Sequence, residues 1–219
     1  LAELLQQRTE PRGLADDMFA RFCFSATSRY ARSEGGDEET VARLTRDAVV
    51  AHHAHFIVPS RSRLIVVGDV DVDGVMQLAE SALGTWQATG ATSPAVEVTP
   101  AQAHRQVHLV AKADAPQSEL RVGHPSVTRA HPDFHALSVM NAILGGLFNS
   151  RINLNLRERH AYTYGAFSQF DWRRRASAFE AATAVRSDVT AAAVREILHE
   201  IDRMRNEPVS ASELSLAVD

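Results

Sequence analysis

The chain has 219 residues, 45% of them hydrophobic, and a formal net charge of -4, enough to bury a substantial core as one large domain or two small ones. That balance, with no basic stripe interleaved with aromatics, argues against a nucleic-acid binder. No apolar run approaches the roughly 20 residues of a membrane span, and no charged-then-apolar leader opens the sequence.

The first third reads as helices. In PRGLADDMFARFCF the apolar residues Leu14, Met18, Phe19 and Phe22 recur at three- and four-residue steps, and Pro11 suits a helix start. The single cysteine, Cys23, sits between Phe22 and Phe24 and reads as a small buried hydrophobe; alone, it allows no internal disulfide. TVARLTRDAVVAHHAHF suggests two short helices or one bent one, with Thr45 as a possible second cap.

Arg63 to Val67, RLIVV, is short, apolar and β-branched, the pattern of a strand. The stretch after it, GDVDVDGVMQLAE, has the calcium-loop spacing of Asp69, Asp71, Asp73, Gly74 and Glu80. An EF-hand needs an incoming helix, however, and here a strand runs in. The simpler expectation is that Asp73 caps a helix from Gly74 to about Leu83, with calcium binding as the lesser alternative.

From Gln87 to about His104 the composition shifts to Ala, Thr, Ser, Gly and Pro, which marks a linker at 89–104. Beyond it the expected order is strand (Arg105 to Ala111), strand (Gln117 to Gly123), helix (Pro132 to Leu144), short helix (Asn149 to His160), strand (Tyr162 to Phe170), strand (Ala176 to Val185) and helix (Asp188 to Met204). Paired strands followed by paired helices argue for an α+β fold, a mostly antiparallel sheet with helices packed on one face. At the end SASEL is a capping box, Ser210 with Glu213, with almost no helix after it, so the chain reads as a fragment.

Ten histidines invite a metal hypothesis. In AHHAHF, His52 and His55 lie three apart on a helix, but no cysteine or acid stands nearby to complete a site. In HPDFH, His131 and His135 have the outer spacing of the inverted zinc motif, yet Phe134 occupies the place of the general-base glutamate. Neither reads as a zinc site. In LGGLFNSRINLNLRERHAYTYGAFSQF, Arg157 falls near the end of a short helix and Tyr164 early in the next strand; taken alone they read as a helix-end cation and a half-buried tyrosine.

GGLFNSRINLNLRERHAYTYG nevertheless resembles the segment found in the second, zinc-free half of the pitrilysin, insulinase and mitochondrial processing peptidases. The likeness extends to APQSELRVGHPSVTRAHPDFHALSVMNAILGG, to EIDRMRNEPVSASEL, and back through LIVVGDVDVDGVMQLAESALGTW. It implies that residues 1–88 close one module, that 89–104 link, and that 105–219 form most of a non-catalytic module.

The resemblance also implies roles. Arg157 would hydrogen-bond the substrate backbone near the scissile bond, where a planar fork of donors matches carbonyl oxygens. Tyr164 would donate toward the oxygen that becomes negative in the tetrahedral intermediate. The family's usual glycine before this tyrosine is Ala161 here, with an extra aromatic at Tyr162. Alternation would put Tyr162 and Tyr164 on one strand face, and the family spacing selects Tyr164.

On this reading the chain holds no metal, and zinc belongs to a catalytic half in the same polypeptide or a partner. Peptides or unfolded segments would be the substrates, added to a sheet edge. The bacterial periplasm or envelope is the implied setting. The alternative is a structural subunit of the same fold, like the core proteins of respiratory complexes.

Overall fold

The computed structural model describes residues 9–87, 104–113 and 115–218, together with Leu4 and Gln6. Two compact units form: one of Leu1–Gly36 with Val96–Asp219, the other of Asp37–Ala95. The linker expected at 89–104 lies outside the described residues apart from His104.

The smaller unit is helical. Asp37 and Thr40 form a reciprocal box at the start of the Glu38–Ala42 helix, and Thr45 accepts from the Ala48 N–H at the start of Arg46–Phe56, as the sequence suggests. His52 and His55 both pack their rings against Phe56 at the end of that helix. The helix expected from Gly74 runs instead over Val72–Leu83, and its cap is Asp71, not Asp73: the Asp71 carboxylate accepts from the Gly74 N–H at 2.7 Å. Starting two residues earlier puts Asp73 inside the first turn, where its charge suits the helix dipole.

The strand expected at Arg63 to Val67 does not form a ladder among the described residues. Among the described residues the backbone there has no neighbouring strand, and Ile65 and Val67 are 80% and 92% exposed. Its composition sets an extended preference, while a strand also requires a partner for its N–H and C=O groups. The same correction applies to Arg105 to Ala111, which contains no strand.

The larger unit is built on a three-stranded antiparallel sheet in the order β1-β3-β2, with β1 Gln117–Ser126, β2 Ala166–Phe170 and β3 Ser177–Arg186. The central strand is rich in alanine because both its faces are covered. Alternation sends Phe179, Ala181 and Val185 to one face, where they join Leu144, Ile152, Leu156, Ala193 and Ile197 from the helices. Ala178 turns to the other face and packs with Cys23 and Phe24 at the end of the Pro11–Cys23 helix. Arg121 fixes that helix from the same face, donating to Asp16 at 2.7 Å and to Glu119 at 3.0 Å. Burial first, and then the Glu180 charge, pushes the Cys23 thiol up to about 12, in keeping with its reading as an inert core residue.

The helices after β1 are Phe134–Asn141, continued by a wide turn at Ala142–Gly146, and Arg151–Asn153, continued by a second wide turn at Leu154–Arg159. The last two are Thr190–Asn206 and Ala211–Val218. The capping box read from SASEL is present: the Ser210 N–H donates to Glu213 at 2.8 Å and the Glu213 N–H donates to Ser210 Oγ at 3.2 Å.

Candidate functional site

Leu156 and Asn155 are buried in the wide turn that ends at Arg159, and that turn fixes where Arg157 points. The guanidinium does not fold back onto last-turn carbonyls. It lies over the Phe148 ring, 4.6 Å from its centroid, with Nε 3.4 Å from Glu158 Oε1. Stacking occupies one face of the fork and leaves its outer N–H groups free to donate in plane.

The helix then closes with a left-handed residue, Ala161 at φ 51°. The Tyr162 N–H reaches back to Leu156 O at 2.9 Å and the Ala161 N–H to Arg157 O at 3.2 Å, a C-terminal closure one residue wider than the common one. This is the position where the family resemblance places a glycine, and the dihedral is the reason: a Cβ in this region costs on the order of 1 kcal/mol. Ala161→Gly is therefore expected to be neutral or to stabilise by up to about 0.5 kcal/mol, because relieved strain exceeds the added chain entropy. Chemical denaturation measures it, and a loss above about 1 kcal/mol would contradict the strain argument.

The left-handed turn also separates the two tyrosines. β2 begins only at Ala166, so Tyr162 and Tyr164 precede the strand and the expected shared face does not exist. Tyr162 packs against the core and stacks on His160, centroids 4.9 Å apart. Tyr164 is 93% exposed. It sits on a loop held by Thr163, whose Oγ1 accepts from the Gly165 N–H at 3.1 Å, and by Thr183 Oγ1, 2.9 Å from both Thr163 Oγ1 and Gly165 O.

Arg157 and Tyr164 line one solvent-open groove of about 580 Å³. Its apolar walls are Leu147, Phe148 and Phe167, all partly exposed, and Ala184 of β3 and Gln117 of β1 also line it. Ala184, Gln117 and Phe167 point from the sheet face opposite the main helical core, beside the start of the Pro11–Cys23 helix. That helix contributes Arg12, a lining residue the sequence reading did not single out. The available signal was a cation in a helix's first turn, against the usual dipole preference, with the one neighbouring acid, Glu10, outside that turn at the N-cap.

The outer edge of β2 is closed. The Ala166 N–H donates to Asn153 Oδ1 at 3.0 Å, Asn141 Nδ2 donates to Ser168 O at 3.0 Å, and Ser168 Oγ donates back to Asn141 Oδ1. A peptide could extend the sheet at this edge only by displacing both asparagines.

Among the described residues, no group of three or more His, Cys, Asp or Glu converges to hold a metal ion. His131 and His135 remain apart in role: His131 Nδ1 accepts from the Asp133 N–H, and His135 stacks edge-on with Phe134. This donor set does not fit zinc, and the same holds for the Asp69, Asp71, Asp73 and Glu80 series. No helix among the described residues is long and apolar enough to cross a membrane.

The chain resembles known proteins over nearly its whole length. Residues 43–219 match the family described as the peptidase M16 inactive domain. An uncharacterized zinc protease of Mycobacterium leprae is 27% identical over 172 residues, covering 78% of this chain and 38% of the relative. The crystal structure of a peptidase M16 inactive domain from Pseudomonas fluorescens superposes with a TM-score of 0.90 at 23% identity, over 99% of this chain and 52% of that one. A chain of complex III from Candida albicans superposes with a TM-score of 0.79 at 15% identity, over 99% of this chain and 52% of that one. This chain thus spans about two fifths to one half the length of these relatives. The antiparallel sheet, the matched residues and the fold together make this chain a member of the peptidase M16 inactive-domain family.

Proposed function

We propose that the chain is the non-catalytic half of a zinc metallopeptidase, helping to enclose and orient peptide for hydrolysis by a zinc-bearing half in the same polypeptide or a partner. The observation that carries this reading is the convergence of Arg157 and Tyr164 on one groove while Tyr162 is absorbed by the core. Tyr164 has no packing role at 93% exposure, and its loop is nonetheless pinned by two threonines.

In this reading Arg157 donates to a backbone carbonyl of an extended peptide, and Phe148 beneath it sets the plane of the fork. Tyr164 donates its hydroxyl to the oxygen on which charge develops, an interaction that is useful because it strengthens in the transition state. Leu147, Phe148 and Phe167 hold the flanking side chains. Residues 1–88 would close a preceding module, 89–104 would link and 105–219 would form most of the non-catalytic one. The zinc and its base would belong to the other half; among the described residues no three His, Cys, Asp or Glu converge to hold a metal ion.

Arg157→Ala and Tyr164→Phe in the complete enzyme test the roles. Each is expected to lower kcat by roughly 100- to 1,000-fold, the range for losing one transition-state donor, with the melting temperature and assembly unchanged. Unchanged turnover would remove the assigned roles. The likeness to a complex III chain gives the second reading, a structural subunit. That reading is supported instead if the two substitutions leave turnover intact while loss of the chain disrupts assembly.

A further inference from the structure

The lining of the groove is unbalanced in charge. Among the described residues the groove is lined by two guanidinium groups, Arg12 and Arg157, and by no aspartate or glutamate, although the chain as a whole is acidic at -4. Arg157 is stacked on Phe148 and beside Glu158. Arg12 has neither: among the described residues it makes no ion pair, and its side chain is exposed. Its placement is also against local preference. It occupies the first turn of the Pro11–Cys23 helix, which contains no acid, although Glu10 stands at the N-cap just before it, so its charge lies at the positive end of a helix dipole. A residue that breaks a local rule at the wall of a groove is there for something outside the helix.

We propose that Arg12 recognises an acidic side chain of a bound peptide, one flanked by an apolar residue that rests against Leu147, Phe148 and Phe167. This rests on the peptide-holding function above and names its substrate class. The groove is open to solvent rather than enclosed, so a chain can run through it, and an internal Asp or Glu is the occupant, not a terminal carboxylate. Arg157 serves the backbone and is indifferent to sequence; Arg12 reads the side chain. The guanidinium suits this task because its fork pairs with both carboxylate oxygens at once.

The test is binding of fluorescein-labelled peptides to the complete protein, read by anisotropy. The probe is an unstructured decapeptide with a central Phe-Glu, beside twins carrying Phe-Gln or Phe-Lys and a version with glutamate only at the C-terminus. The Phe-Glu peptide is expected to bind at least fivefold tighter than its Phe-Gln twin, with the difference falling at 0.5 M salt. Arg12→Gln should abolish that ratio, and Arg12→Glu should invert it toward Phe-Lys. Arg157→Ala should weaken all the peptides alike and leave the ratio. Equal binding of the Glu and Gln twins, no binding of either, or a ratio that survives Arg12→Gln would overturn the proposal, as would a preference confined to the C-terminal version. Because binding is read directly, an Arg12-dependent preference without cleavage would sustain this inference while removing the peptidase function.

Discussion

Glu213→Ala is expected to lower the free energy of unfolding by about 3–5 kcal/mol, the cost of leaving a buried charge without its partner. The Arg151 side chain is 7% exposed, and it donates in a fork to Glu213, Nε at 2.6 Å to Oε1 and Nη2 at 3.0 Å to Oε2. Its third nitrogen, Nη1, already has no hydrogen-bond partner among the described residues, and the other nearby acids, Glu200 and Glu207, act on it only through their charge. Glu213 also accepts from the Ser210 N–H, so the same substitution releases the start of the Ala211–Val218 helix. Replacing both residues, Arg151→Met with Glu213→Leu, should recover most of the loss, since the desolvation of two charges is then removed as well. Urea denaturation of the three proteins decides it. A loss below about 1 kcal/mol in the single variant would show that the pair is solvated.

The same pair predicts a pH response. The hydrogen bond from Arg151, followed by those from Ser210, holds the Glu213 carboxyl at about 2, against an ordinary value of 4.5. A carboxylate held low in the folded state contributes stability that is fully present above its unfolded value. That contribution declines as pH falls below 4.5 and is gone below about 2. Glu213 is about a third exposed, so solvent screening trims the size of the effect but not its sign. The acid limb of the stability profile between those values should be shallower in Glu213→Ala than in the unaltered protein.

The second large effect is expected at Gly145. A Cβ there would lie 2.3 Å from both Ser168 N and Ser168 Oγ and 2.7 Å from Ser168 Cβ. The obstacle is a strand, not the tip of a flexible side chain. Gly145→Ala therefore has to push the Ala142–Gly146 turn off β2 and strain the Asn141 bonds to Ser168. The expected loss is about 3 kcal/mol, the upper end for overpacking a core contact. Because Gly145, Gly146 and Leu147 line the groove, peptide affinity should fall in the same variant. Gly165 is the control: it borders the same groove but has nothing within 4 Å of its Cβ, so Gly165→Ala should change stability by less than about 0.5 kcal/mol. If Gly145→Ala proves equally mild, the close approach of turn and strand is not as tight as described.

Much of this architecture was legible in the chain. Thr45 as a cap, the Ser210 and Glu213 box, the β2 and β3 strands and the long helix after them all follow from local rules, and all are present. What failed needed knowledge of distant neighbours. RLIVV has the composition of a strand, but a ladder needs a second strand that composition does not supply. Asp71 displaced Asp73 as the helix cap because either spacing satisfies the local pattern. The site was legible only in part. Arg157 and Tyr164 stand seven residues apart and share a recognisable segment. Arg12 is separated from them by more than half the chain, and only the sheet face they share with Gln117 and Ala184 brings it to the groove. The left-handed dihedral at Ala161, which separates Tyr162 from Tyr164, leaves no signal in a residue type that seldom adopts it.

The unpaired stretch at Arg63 to Val67 has a consequence for the life of this polypeptide in a crowded solution. Leu64, Ile65, Val66 and Val67 are 61%, 80%, 46% and 92% exposed, and Val107 and Leu109 exceed 90%. Short extended runs with high β-propensity, low charge and no proline are the composition of steric zippers. The arginines at 61 and 63 flank the run on one side and Asp69 on the other, the charged positions that gatekeepers occupy. A neighbour that covered these runs would therefore act as a chaperone as well as a structural partner, since it would remove surface on which copies of the chain can associate.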